Sequence, residues 1–316
     1  LLLGMPPMTM VTPWVRVFIC TNCGQISLLR QGRWYCLNET PLAQIKGFMA
    51  KTNQIKSMTL RPMPLWESIL FFGIPAIITI FCVYGLFPYL VKHGFSAYIS
   101  YVIALDIPLF MMFVASLVAY RMEGNPMNWP AFRDRFRLKR MEHKGWIWTI
   151  GLLFFMIITA GLLSVLILSI IPGLIEKGML TIPDSTPSFI DPRVPQSLAS
   201  IKTQMGAKAV GNWFLLVITF FSLILNILGE EFLWRGYVLP RQELMYGKYA
   251  WMVHGVLWML LHAFKWWQML ALLPGALALS FLAQRIQNTW PGIIAHFITN
   301  GIGMIGILLV VMGVGE

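Results

Sequence analysis

The sequence is short of charge. Only 12% of its 316 residues are Asp, Glu, Lys or Arg, while 57% are hydrophobic. Mean hydropathy is +0.69. A water-soluble domain carries roughly 25% charged residues, so this composition excludes an ordinary soluble fold. Four cysteines are too few to brace a chain of this length with a disulfide framework. No stretch has the basic, apolar and small-residue layout of a cleavable signal peptide. No His-Glu-x-x-His occurs, which excludes the usual helix-borne zinc protease motif. Acidic side chains are scarcest, at 13 against 24 Lys and Arg. The basic excess gathers between apolar runs, where it sets topology and meets anionic headgroups. Nothing in it supports a nucleic-acid partner.

What is present is long apolar runs. They cover 66–90, 98–120, 146–171, 213–230, 249–261, 269–283 and 290–311. They are too long and uniform for barrel strands, so the fold class is all-α, a polytopic transmembrane bundle of about seven to eight spans. Basic residues precede the first run (Lys46, Lys51, Lys56, Arg61) and fill the gap between the second and third (Arg133 to Lys144). They also follow the fourth (Arg235, Arg241, Lys248). The positive-inside rule makes these segments cytoplasmic, with the N-terminus in and the C-terminus out. The expected site is an opening on the cytoplasmic face, in contact with membrane lipids.

Residues 1–60 form an extension ahead of a membrane-embedded domain spanning 61–316. The extension carries Cys20, Cys23, Cys36 and Glu39. It reads either as a disordered tail with free thiols or as a degenerate zinc ribbon in which Glu39 replaces a cysteine. Residues 131–145 are strongly basic, with Phe132 and Phe136 one turn apart, which predicts an interfacial helix lying on lipid. The proline-rich connection 172–210 predicts a lid or a partly disordered loop. Asp106 lies inside an apolar run beside Pro108 and is expected to satisfy a neighbouring helix. Gly301, Gly303 and Gly306 fit a dinucleotide fingerprint on paper. No strand precedes them, so close helix packing is the better reading.

The densest chemistry is Gly229-Glu230-Glu231-Phe232-Leu233-Trp234-Arg235-Gly236. Two carboxylates and an arginine at the end of a membrane run are costly, so they mark a functional candidate. On a helix Glu231 and Arg235 share a face and can pair. Glu230 then points about 100° away, free for chemistry. Three histidines follow: His254, His262 and His296, with Asn300 one turn beyond the last. At 1.5 Å per residue, Glu230 is about 16 Å from Arg241, His262 about 21 Å from Lys248, and Asn300 about 15 Å from Trp290. Those four side chains fall at one depth, whereas His254 lies nearer the surface. A carboxylate and an imidazole around one water make a general base. Histidine and asparagine one turn apart can donate to an oxyanion. The same His, His and Glu set can alternatively hold zinc.

Glu230-Glu231-x-x-x-Arg235, Trp258-x-x-x-His262 and Trp290-Pro291-x-x-x-His296-x-x-x-Asn300 together resemble the three-motif signature of the CPBP family. That family contains type II CAAX prenyl endopeptidases and bacteriocin-processing or immunity-related membrane proteins. The resemblance covers about 210–305. It implies an intramembrane endopeptidase that cuts near the C-terminus of a CAAX-like or otherwise lipid-modified membrane protein. Glu230 would activate water with His262, His296 and Asn300 would stabilise the oxyanion, and Glu231 and Arg235 would support them. No cofactor is required on this reading, with a divalent metal such as zinc as the alternative. The family usually has phenylalanine at position 258, and the tryptophan is expected to affect packing alone. The rival function is a catalytically silent scaffold or immunity protein of the same fold.

Overall fold

The structure, a computed structural model, describes residues 60–314 and the backbone of three strands nearer the N-terminus. The chain divides into two compact units, Leu1–Thr59 and Leu60–Glu316. The first contains β1 (Val15–Ile19), β2 (Ile26–Arg30) and β3 (Arg33–Leu37). They pair antiparallel in the order β1-β2-β3, with Val17 opposite Leu28 and Leu28 opposite Tyr35. Of the anticipated zinc ligands, Cys20, Cys23 and Glu39 lie outside the described residues, and Cys36 is described as backbone alone.

The second unit is all-helical among the described residues. Its helices are α1 (Leu65–Lys92), α2 (Ala97–Met122), α3 (Trp129–Arg135), α4 (His143–Glu176) and α5 (Leu198–Met205). They continue as α6 (Trp213–Glu230), α7 (Leu239–Tyr246), α8 (Ala250–Leu261), α9 (Met269–Ile286) and α10 (Trp290–Val311). Five helical stretches are long and apolar enough to cross a membrane. They are α1, α2, α4, α10 and the 74-residue stretch Trp213–Ile286. That last stretch contains three of the apolar runs, joined through π and 3₁₀ segments and α7.

Several polar groups inside these helices are satisfied within the protein, as hydrocarbon favours. Thr79 donates to the Pro75 carbonyl at 2.8 Å, beside a proline that α1 absorbs without ending. Ser280 donates to the Ala276 carbonyl at 2.7 Å. Asp106 accepts from Ser222 at 2.5 Å and so ties α2 to α6. This is the structural role that its place beside Pro108 suggested.

The bundle has two distinct ends. At one end the basic segment packs part of its length onto the protein. α3 is only seven residues long. Phe136 is fully buried and packs on Tyr120 and Phe232. Arg135 binds Glu123 at 2.6 Å and the Gly236 carbonyl at 2.7 Å. Arg137 grips Glu243 at 2.7 Å. Thr289, just before α10, donates to the Phe136 carbonyl. The two phenylalanines therefore mark a protein contact, a pattern that periodicity cannot tell from a lipid-facing stripe.

At the other end lies the connection between α4 and α6. Gly211 donates its amide to the Val311 carbonyl at 2.8 Å, at the far end of α10. Arg193 clamps buried Asp191 at 2.7 Å, and Trp267 donates to the Ile190 carbonyl at 3.0 Å. This connection is an ordered strap.

Close approach of α2 and α6 rests on Gly229. A Cβ there would sit 2.6 Å from the Leu109 carbonyl oxygen. At Gly73 a Cβ would meet nothing within 4 Å. Gly229→Ala should therefore cost about 1–3 kcal/mol through backbone displacement, while Gly73→Ala should not destabilise. Thermal unfolding of the two purified variants in one detergent tests this, and equal melting points would refute the tight contact.

Candidate active site

α6 does not end in an ordinary way. At Glu231 the helix widens into a π-helical stretch, Glu231–Val238, before α7 resumes. Every residue of that stretch is buried. Such π insertions are rare and concentrate at functional sites. α8 likewise gives way at His262 to a tight 3₁₀ stretch, His262–Gln268, with Lys265 out of helical geometry (φ −133°, ψ 52°). Two breaks in the α register thus flank the polar side chains.

Glu230 sits where α6 meets the π stretch and is 4% exposed. Its Oε1 accepts from Asn226 Nδ2 at 2.9 Å, and its Oε2 accepts from Trp258 Nε1 at 2.6 Å. Each oxygen keeps acceptor capacity beyond that bond. Asn300 Nδ2 donates in turn to Asn226 Oδ1 at 2.7 Å. On the other side His262 Nδ1 lies 3.0 Å from the Trp258 carbonyl. A carbonyl only accepts, so Nδ1 carries the proton and Nε2 of neutral His262 offers a lone pair. A continuous polar chain therefore runs Asn300, Asn226, Glu230, Trp258, His262. Trp258 is more than packing, contrary to the expectation above: its indole N–H holds the carboxylate, which phenylalanine cannot do.

Glu231 and Arg235 make a second, fully buried group. Arg235 Nη1 donates to Glu231 Oε1 at 3.0 Å, and His296 Nδ1 donates to the same oxygen at 3.1 Å. The guanidinium lies over the Trp258 ring, 4.6 Å from its centroid. Gly292 on α10 gives the carboxylate its space, because a Cβ there would overlap Glu231 Oε2. With Nδ1 committed to Glu231, His296 has its Nε2 left for other work.

Glu230, His262, His296 and Asn300 all line one cavity of about 660 Å³. His254 does not. It is fully buried, bonded to Gln242 at 2.7 Å and edge-on to Phe72, so it joins α8 to α7 and α1. Asn226 and Lys265 also line the cavity and carried no motif signal. Asn226 is one turn before Glu230, a spacing that would have exposed it. The rest of the lining is mostly apolar, with Leu105, Met112, Leu223 and Met304 among it.

The cavity extends towards the strap. Tyr98 and Tyr101 from the start of α2, Ile307 from the far part of α10, and Phe189, Gln196 and Ile201 from the connection all line it. The basic end contributes none of these. The expected orientation thus separates into two halves. If the basic end is cytoplasmic, the cavity extends towards the opposite face.

Among the described residues no three His, Cys, Asp or Glu side chains converge as metal ligands. No step below runs through a metal.

Residues 212–302 match the family model described as Type II CAAX prenyl endopeptidase Rce1-like, a protease family of the membrane. The match overlaps the stretch that carries the CPBP-like motifs and contains every lining side chain named as a catalytic candidate. Comparison with curated proteins and with solved structures finds no match.

Labelling checks the orientation. With Cys20, Cys23, Cys36 and Cys82 replaced by serine, a cysteine is placed at exposed Ser185 in the strap or exposed Arg140 at the basic end. Positive-inside topology expects an impermeant maleimide to label Ser185→Cys in intact cells and Arg140→Cys only after permeabilisation. The reverse pattern would put the cavity on the cytoplasmic side.

Proposed function

We propose that the protein is an intramembrane endopeptidase that hydrolyses a peptide bond near the C-terminus of a membrane-associated substrate, CAAX-like or otherwise lipid-modified. The observation that carries this reading is the convergence of Glu230, His262, His296 and Asn300 on one largely apolar cavity. An apolar cavity with a few fixed polar groups suits a lipid-bearing peptide.

In the proposed reaction a water between Glu230 and His262 Nε2 loses a proton to this pair as its oxygen attacks the scissile carbonyl. Oxygen–carbon bond formation places negative charge on the carbonyl oxygen. Asn300 Nδ2 has a second N–H to donate, and protonated His296 can donate from Nε2; both would face that charge. Glu231 accepts from Nδ1 of His296 and so orients the ring. Collapse of the intermediate breaks the carbon–nitrogen bond, and the captured proton passes to the leaving amine. Asn226 and Trp258 are positioning residues that aim the Glu230 carboxylate. No metal has a part in this scheme.

The test offers prenylated and unprenylated C-terminal peptides to membranes holding wild type, Glu230→Gln or Trp258→Phe, with and without chelator. Wild type should release a short C-terminal fragment. Glu230→Gln should lose about 10²- to 10⁴-fold, the usual worth of a general base. Trp258→Phe keeps a ring but loses the donor, and should fall about tenfold or more, as for a hydrogen bond to a charged group. Chelator should change nothing. Background release by all three proteins would favour the silent scaffold, and loss with chelator would restore a metal.

A further inference from the structure

Lys265 has no part in the proposed chemistry, yet it lines the same cavity as Glu230 and His262. An ammonium group at such depth is costly and calls for a counter-charge. Among the described residues its ammonium is in no salt bridge, and it lies 5.5 Å from the centroid of the Phe264 ring. It is the one lysine or arginine in the cavity lining. Its backbone is the residue that leaves helical geometry in the 3₁₀ stretch, so the kink gives this side chain its own direction, separate from the helix faces beside it. The one carboxylate in the same lining is Glu230, which attracts the ammonium without a salt-bridge contact, so the ammonium is left without a directly paired anion.

We infer that Lys265 receives the free C-terminal carboxylate of the substrate and thereby confines cleavage to bonds close to a chain end. This rests on the protease reading. The dimensions agree with it. Three residues in a 3₁₀ stretch rise about 6 Å, so His262 and the base of Lys265 are near neighbours. A lysine stem adds about the same again. One to three extended residues beyond the scissile bond span about 3–11 Å. A short leaving fragment therefore reaches from the attacked carbonyl to the ammonium, whereas an internal peptide segment would bring no charge to it. The ammonium is a point charge on a flexible stem, suited to fragments of slightly different length. A lipid phosphate could supply the same negative charge, and the experiment separates the two sources.

One peptide is prepared as the free acid and as the C-terminal amide, and kcat/KM is measured for wild type, Lys265→Met and Lys265→Arg. Wild type should prefer the acid about 10- to 100-fold, as for a hydrogen bond to a charged group. Lys265→Met should bring the acid-to-amide ratio close to one, and Lys265→Arg should keep part of it. A wild-type ratio near one overturns the inference while leaving the protease reading intact. So does an equal loss on both peptides in Lys265→Met, the result expected if the lysine held a lipid phosphate or merely supported the fold. A second arm reads binding alone, as the thermal shift given by the acid against the amide. Absence of cleavage with an acid-specific shift that Lys265→Met abolishes would keep the anion site and sink the protease reading. Absence of both would sink the two together.

Discussion

A carboxylate and a guanidinium buried at bilayer depth must neutralise each other or the bundle cannot close around them. Glu231 and Arg235, both with fully buried side chains, are that pair. Removing one partner of such a pair typically costs about 3–5 kcal/mol, because the other charge stays buried and unpaired. The surrounding packing follows from it. Trp258 of α8 lies flat against the guanidinium, His296 of α10 donates to the carboxylate, and Gly292 leaves the carboxylate its volume. Two other helices, α8 and α10, are registered against one ion pair, and their other polar groups then fall around Glu230.

Departures from regular helix do the rest of the positioning. In an unbroken α-helix, side chains four apart stack on one face and neighbours fan around the axis. The π stretch after Glu230 and the 3₁₀ stretch at His262 relax that rule at the points where the cavity begins. Bonds across the breaks compensate: Asn226 and Trp258 hold Glu230, and the Trp258 carbonyl orients His262. In hydrocarbon each unmet group would cost several kcal/mol, so these bonds secure both backbone shape and carboxylate aim.

Much of this was readable from residue spacing. Charge is so rare in the chain that Glu230, Glu231 and Arg235 stand out, and counting helical rise from the basic segments brings Glu230, His262, His296 and Asn300 to one depth. The pairing of Glu231 with Arg235 follows from their four-residue separation. Other features needed coordinates. Asn226 is a neutral amide among apolar neighbours; its spacing puts it one turn from Glu230, but its bonds to that carboxylate and to Asn300 appear only in three dimensions. Trp258 reads as bulk because a sequence does not reveal where an indole N–H points. Phe132 and Phe136 have the spacing of a lipid-facing stripe, but the buried contacts with Tyr120 and Phe232 come from distant segments. The cavity's direction depends on how the strap returns over α10, which loop composition does not encode.

The separation between Glu230 and Glu231 has an evolutionary consequence. Glu230 is held by neutral donors, so a glutamine there would preserve much of the local shape while removing the carboxylate. Glu231 and Arg235 have no such freedom, since changing either alone strands a charge in a dry interior. A descendant of this chain could therefore lose its chemistry in one step and still be compelled to inherit the ion pair, the glycine that accommodates it and the tryptophan that covers it. The paired charges are a heritage of folding, and on the proposed mechanism the single carboxylate beside them is the position at which natural selection for turnover would act.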